Sequence, residues 1–112
     1  MRRTRSTLLC LALLVLVLPF AVAQTGNTRT IKGTVLGPND HALSGAIVYL
    51  KNTKSNDILT YITQSNGRYL FGYTPAEDDL QLWAVYKGKT SSKTTISSFV
   101  ERKRVVVDLH IK

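Results

Sequence analysis

From Thr30 onward, apolar residues recur at every second position in short runs. Ile31, Gly33 and Val35 share one parity, as do Ala46, Val48 and Leu50; Tyr69, Phe71 and Tyr73; Leu80, Leu82 and Ala84; and Val105, Val107, Leu109 and Ile111. Successive side chains of a strand point to opposite faces, so each run predicts a strand with that set turned into a core. The separators are turn-formers: Gly37-Pro38-Asn39-Asp40, Ser65-Asn66-Gly67, Thr74-Pro75 and Lys87-Gly88-Lys89. No stretch after residue 23 sustains the three-and-four apolar spacing of a helix. Roughly six or seven short strands separated by turns predict an all-β sandwich or barrel.

Asn66-Gly67 is the strongest turn signal, because both residues tolerate the positive φ of a tight turn. Its flanks, Ile58–Thr63 and Arg68–Tyr73, are rich in β-branched and aromatic residues and predict the two arms of a hairpin. Parity also sets two aromatics apart. Tyr49 and Trp83 oppose the core sets of their strands, so with Ile47 and Val85 they predict an apolar patch on an outer face. Flat aromatics stack on sugar rings or anchor a protein partner. Other readings stay open: a loop or the Ser/Thr-rich segment 90–98 covers the patch, or the parity is inverted in one strand. The Ser/Thr-rich segment itself reads as a solvated edge strand or loop.

Residues 1–23 differ in kind. Arg2, Arg3 and Arg5 precede an unbroken apolar run from Leu8 to Leu18, Pro19 follows, and Ala21-Val22-Ala23 places small residues before a cleavage point between Ala23 and Gln24. The run is shorter than the roughly 20 residues a spanning helix needs. A removable signal peptide is expected, leaving no stable membrane span and a secreted or periplasmic product. Residues 24–29 then read as a flexible leader and 30–112 as one small domain. Removing Arg2, Arg3 and Arg5 lowers the formal charge from +8 to +5, and the only cysteine, Cys10, goes too. A disulfide framework, a Cys-ligated zinc and a cysteine nucleophile are thereby excluded from the exported part.

The strand motifs carry a resemblance. Ile31-x-Gly33-x-Val35, Ala42-Leu43-Ser44-Gly45-Ala46-x-Val48, Thr63-Gln64-Ser65-Asn66-Gly67-Arg68-Tyr69-x-Phe71, Leu80-x-Leu82-x-Ala84 with Gly88, and Val105-x-Val107-x-Leu109 together resemble the carboxypeptidase regulatory-like domain family. The resemblance covers about residues 30–111 and departs at His41, Ala42 and Gln64, where the family favours Gly, Pro and Asp. It implies a transthyretin-like, Greek-key β-sandwich of about seven strands, a carbohydrate-binding-like fold. Its motifs are structural glycines and core positions, and the replacement of Asp by Gln64 removes one reason to expect an Asx-type contact in that turn.

Chemistry is sparse. A zinc carboxypeptidase needs a His-x-x-Glu pair and a distant His, but His41-Ala42-Leu43-Ser44 ends in Ser and the only other histidine is His110. The chain ends Asp108-Leu109-His110-Ile111-Lys112, unlike the Tyr-Arg-Gly-Ser terminus of transthyretin-like hydrolases. Asp40, His41 and Ser44 share one loop, which is no evidence for a triad. Glu77-Asp78-Asp79 lacks the alternating oxygen ligands of a calcium loop and reads as solvated. Arg102-Lys103-Arg104 reads as charge guarding a strand end. The expectation is a non-enzymatic exported module with no cofactor and no metal. It has a binding or structural accessory role at the cell envelope or outside the cell. Its partner is a protein or a glycan, not nucleic acid. Trp83 and Tyr49 are the candidate contacts, and the alternative is a carbohydrate-binding module built on those aromatics.

Overall fold

The computed structural model describes residues 27–112; the expected signal peptide, its cleavage point at Ala23–Gln24 and residues 24–26 of the leader lie outside the described residues. Nine strands follow in order: β1 (Thr28–Leu36), β2 (Ile47–Asn52), β3 (Ile58–Ile62), β4 (Arg68–Pro75), β5 (Leu80–Tyr86), β6 (Lys89–Thr90), β7 (Thr94–Ile96), β8 (Arg104–Val106) and β9 (Leu109–His110). They form two sheets of a sandwich, β4-β1-β8 with β9 further along β1, and β3-β2-β5-β6 with β7 also on β5. Two of these splits are interruptions rather than extra strands. Thr30 pairs with Arg104 and Val35 with Leu109, so β8 and β9 keep a single parallel register on β1. β6 and β7 likewise share one edge of β5. Counted this way, the sandwich has the expected seven strand positions.

The alternating sets meet between the sheets. Ile31 and Val35 from β1, Val48 and Leu50 from β2, Tyr69 and Phe71 from β4, and Leu80, Leu82 and Ala84 from β5 are buried, with Ile96, Leu109 and Ile111 closing the ends. Every buried apolar side chain of the described residues lies between Ile31 and Ile111. On the last strand Val105 and Val107 pack against this core while Val106 is exposed.

Gly33 marks the closest approach inside the first sheet. A Cβ there would lie 1.7 Å from the Val107 carbonyl oxygen. That carbonyl turns inward and accepts the Tyr69 hydroxyl at 2.5 Å. The Val107 N–H still donates to Lys32, while the Thr34 N–H donates to the Asp108 carboxylate at 3.0 Å. The inward carbonyl explains the gap between β8 and β9. Burial, reinforced by the Asp108 charge, pushes the Tyr69 phenol well above its ordinary value.

Three expectations need correction. Tyr73 is not in the core set of β4: it is exposed, and Thr74 is buried in its stead. Arg29 pairs with Thr74 and Ile31 with Phe71, so Gly72 and Tyr73 together oppose the single residue Thr30. This bulge, with Tyr73 at φ +57°, reverses the parity beyond it. The leader ends earlier than expected, because Thr28 and Arg29 already belong to β1. Arg29 is buried; its guanidinium donates to the Ser97 and Asp78 carbonyls, both at 2.9 Å, and burial lowers its pKa. The Asp78-Asp79 segment is correspondingly tied down: Asp78 accepts from the Asn52 side chain at 2.8 Å and Asp79 from the Ser98 N–H at 2.6 Å.

The third correction concerns Asn66-Gly67. The turn exists, with the Gly67 N–H donating to the Gln64 carbonyl and Gly67 at φ +72°, while Asn66 keeps an ordinary negative φ. Asn66 does make an Asx contact, its side-chain oxygen accepting from the Arg68 N–H at 3.0 Å. The flanks are not hairpin arms, since β3 pairs with β2 and β4 with β1. The turn carries the chain from one sheet to the other. There it meets the second glycine-bearing motif: Thr63 accepts from the Ala46 N–H and donates to the Leu43 carbonyl, and a Cβ on Gly67 would lie 2.9 Å from Ala42.

Candidate functional site

The outer face of the five-stranded sheet is built from residues whose neighbours alternate into the core. Antiparallel pairing aligns Ile62, Ile47 and Val85 in one row across β3, β2 and β5. The next row is Thr60, Tyr49 and Trp83, and the third Ile58, Lys51 and Gln81. Ile47, Tyr49, Trp83 and Val85 are half-buried, and Ile62 and Ile58 are 65% and 50% exposed. The parity read from the sequence therefore places Tyr49 and Trp83 where expected, and β3 extends the patch by two isoleucines.

Tyr49 and Trp83 are direct cross-strand partners. Their rings stack with centroids 5.3 Å apart and planes 8° from parallel, the offset-stacked geometry that adds stability beyond buried area. Lys93, from the Ser/Thr-rich segment, sets its ammonium 4.8 Å from the Trp83 centroid. Two groups cannot share one ring face at these distances, so the indole lies between Tyr49 and a cation. Both contacts engage the indole, while Tyr49 has Thr60 as its neighbour on the β3 side.

The Ser/Thr-rich segment is held in place for this role. Where pairing with β5 breaks between β6 and β7, Ser91 is buried, and its hydroxyl accepts from the Ala84 N–H at 2.9 Å while its own N–H donates to the Ala84 carbonyl. Lys93 follows two residues later. The sequence carried no sign of the cap, because nothing in a Ser/Thr tract says which residue turns over a neighbouring ring.

His41 and Ser44 are exposed, and the His110 Nε2 stands 3.7 Å from the Asp40 carboxylate in a largely exposed pair, a kind of contact that contributes little. Among the described residues no three His, Cys, Asp or Glu side chains come together as metal ligands, and no helix is long and apolar enough to cross a membrane. A depression of about 490 Å³ spans β1 and β4 to the end of β3 and is lined by Lys32, Thr34, Tyr61, Arg68, Leu70 and Val106 among others.

Comparison with known proteins agrees with this architecture. The model of the carboxypeptidase regulatory-like domain matches residues 30–111, and the chain belongs to that family. Among solved structures it is similar to catechol 1,2-dioxygenase from Acinetobacter sp. ADP1, at 14% identity and a TM-score of 0.61 over 80% of this chain and 53% of that one. It is also similar to BcpA, the major pilin subunit of Bacillus cereus, at 15% identity and a TM-score of 0.59 over 76% of this chain and 30% of that one. A third likeness is the dioxygenase domain of a dioxygenase–carbohydrate-binding protein fusion from Streptomyces sp. SirexAA-E, at 11% identity and a TM-score of 0.58, covering 81% and 83%. At these identities the likeness is one of fold, and the chain spans about half the length of the first and less than a third of the second. No curated protein matches.

Proposed function

We propose that this chain is an exported, non-catalytic accessory module that contacts a partner protein through the outer face of its five-stranded sheet. The observation that carries this reading is the in-register row Ile62–Ile47–Val85 beside the Tyr49–Trp83 stack. A contiguous apolar strip rimmed by Lys51, Gln81 and Lys93 has the make-up of a protein contact: aromatic and aliphatic centre, polar rim. Membership of a regulatory-like domain family and the likeness to a pilin subunit support a module that serves other proteins. The export reading rests on residues 1–23 and predicts a mature chain beginning at Gln24, which N-terminal sequencing of the secreted protein checks.

The carbohydrate alternative also uses Trp83 and Tyr49. A sugar ring stacks on a free aromatic face, and on Trp83 it would first have to displace Lys93. Protein contact is therefore the preferred reading. A photo-crosslinking residue at Val85, at the β5 end of the row, tests it in the native host. The expected result is a discrete adduct heavier than two copies of this chain, absent when the same residue is placed at Leu70 on the other sheet. Retention on a polysaccharide matrix with no adduct at Val85 would replace the protein reading by the carbohydrate one.

A further inference from the structure

A sandwich of two open sheets has four edges, and three of them here are obstructed. β4 begins at Arg68, carries the Gly72–Tyr73 bulge and ends at Pro75. The β8–β9 edge follows Arg102-Lys103, opens on Arg104 and is interrupted at Val107–Asp108. The β6–β7 edge consists of two short pieces separated by a stretch that includes Lys93. Charges, proline, bulges and brevity are the devices by which natural sheets refuse further strands. β3 has none of them. Ile58-Leu59-Thr60-Tyr61-Ile62 is regular, uncharged and paired on one side only, to β2.

The free side of β3 is also self-complementary. The Thr63 N–H and the Asp57 carbonyl bond to β2, and backbone groups alternate in direction along a strand. The N–H and C=O groups of Ile58, Thr60 and Ile62 therefore point outward. In an antiparallel pairing centred on Thr60, those three residues meet Ile62, Thr60 and Ile58 of a second copy, each exchanging both backbone hydrogen bonds. On the outer face the side-chain pairs are Ile58 with Ile62 and Thr60 with Thr60; on the inner face Leu59 meets Tyr61. Every pair is apolar or neutral, and no like charges oppose one another within the strand. The surface so covered is apolar and solvent-facing in the single chain, with Ile58, Leu59 and Ile62 each at least 50% exposed.

We infer that β3 is the edge through which two copies of this chain associate, joining their five-stranded sheets into one continuous sheet about a two-fold axis at Thr60. The join would bring the two apolar outer faces side by side, Ile58 of one copy beside Ile62 of the other. The inference stands on the backbone and pattern of β3, so it survives or fails separately from the partner assigned to the outer face.

Residues 24–112, which contain every buried apolar side chain of the described residues, suit a test by sedimentation over a range of concentrations. The expected behaviour is a monomer–dimer equilibrium. Thr60→Lys places like charges opposite each other at the axis and should weaken the dimer at least about tenfold, with an unchanged melting transition because Thr60 is exposed. Thr60→Pro removes an outward N–H that β2 does not use and should act in the same direction. The register has its own readout. Thr60→Cys should oxidise to a covalent dimer, since hydrogen-bonded antiparallel partners lie about 5.5 Å apart at Cα, within disulfide range. Ile62→Cys, whose partner is Ile58, should not. A chain monomeric at every concentration, or a dimer indifferent to Thr60→Lys, overturns the inference; so does cross-linking at position 62 as readily as at 60.

Discussion

The two outer faces of this sandwich have the same parity and opposite character. On the four-stranded sheet the outward positions are Lys32, Thr34, Arg68, Leu70, Arg104 and Val106, so cations and threonine separate the apolar side chains. On the five-stranded sheet Thr60, Lys51 and Gln81 also face outward, but Ile47, Ile62 and Val85 align in one row across three strands beside the Tyr49–Trp83 stack. The inner faces do not show this contrast, because both must fill one core. Alternation identifies which residues leave the core, and the composition of what leaves separates a solvated face from a contact face.

The comparison is broken most severely on β2. Val48→Asp buries a carboxylate without a partner at a fully covered position and should abolish cooperative melting, because that cost of several kcal/mol rivals the stability of a small domain. Ile47→Asp, one residue away and facing outward, should cost about 1 kcal/mol while eliminating the Val85 adduct. Circular dichroism melts separate the two.

The four-stranded sheet offers a similar pair. Gly33→Ala drives a methyl into the Val107 carbonyl and should lie at the upper end of the roughly 1–3 kcal/mol of overpacking. At Gly72, where a Cβ meets nothing within 4 Å, the same change should stay within about 0.5 kcal/mol. Denaturant midpoints give both values.

Tyr69→Phe sharpens the account of that inner contact. It removes the hydrogen bond to Val107 and should cost about 1 kcal/mol near neutral pH. Folding raises the phenol's pKa, so the unfolded chain ionises first, near pH 10. The tyrosine's contribution is therefore complete below about pH 10 and falls as the pH rises above it. The stability gap between parent and Tyr69→Phe should shrink in that window. Trp83→Ala should cost the fold about 0.5–1.5 kcal/mol for the lost stack beyond its buried area, and weaken partner contact by more.

Much of this was legible in the sequence, and the exceptions share a cause. Ile31, Val48, Leu82 and their parity mates were readable because a strand's period is local and strict. Tyr49 and Trp83 were readable for the same reason. Asn66-Gly67 announced a turn, but turn chemistry sets a few dihedral angles and does not choose which strands pair; the two sheets competed for β3 and β4 and separated them. Tyr73 was misplaced because a bulge adds one residue without changing composition. Arg29 looked like leader because its partners are backbone carbonyls of Asp78 and Ser97, distant in sequence. Lys93 and the two isoleucines of β3 joined the candidate site only once the β2–β3 register was known.

Trp83 is the only tryptophan in the chain and lies in the proposed contact face, so its fluorescence tests the central claim most directly. Acrylamide quenching should find the indole partly accessible in the free domain and clearly protected in the complex trapped at Val85. A tryptophan already shielded in the free domain, or equally quenched in the trapped complex, would contradict the assignment of that face as the site of contact.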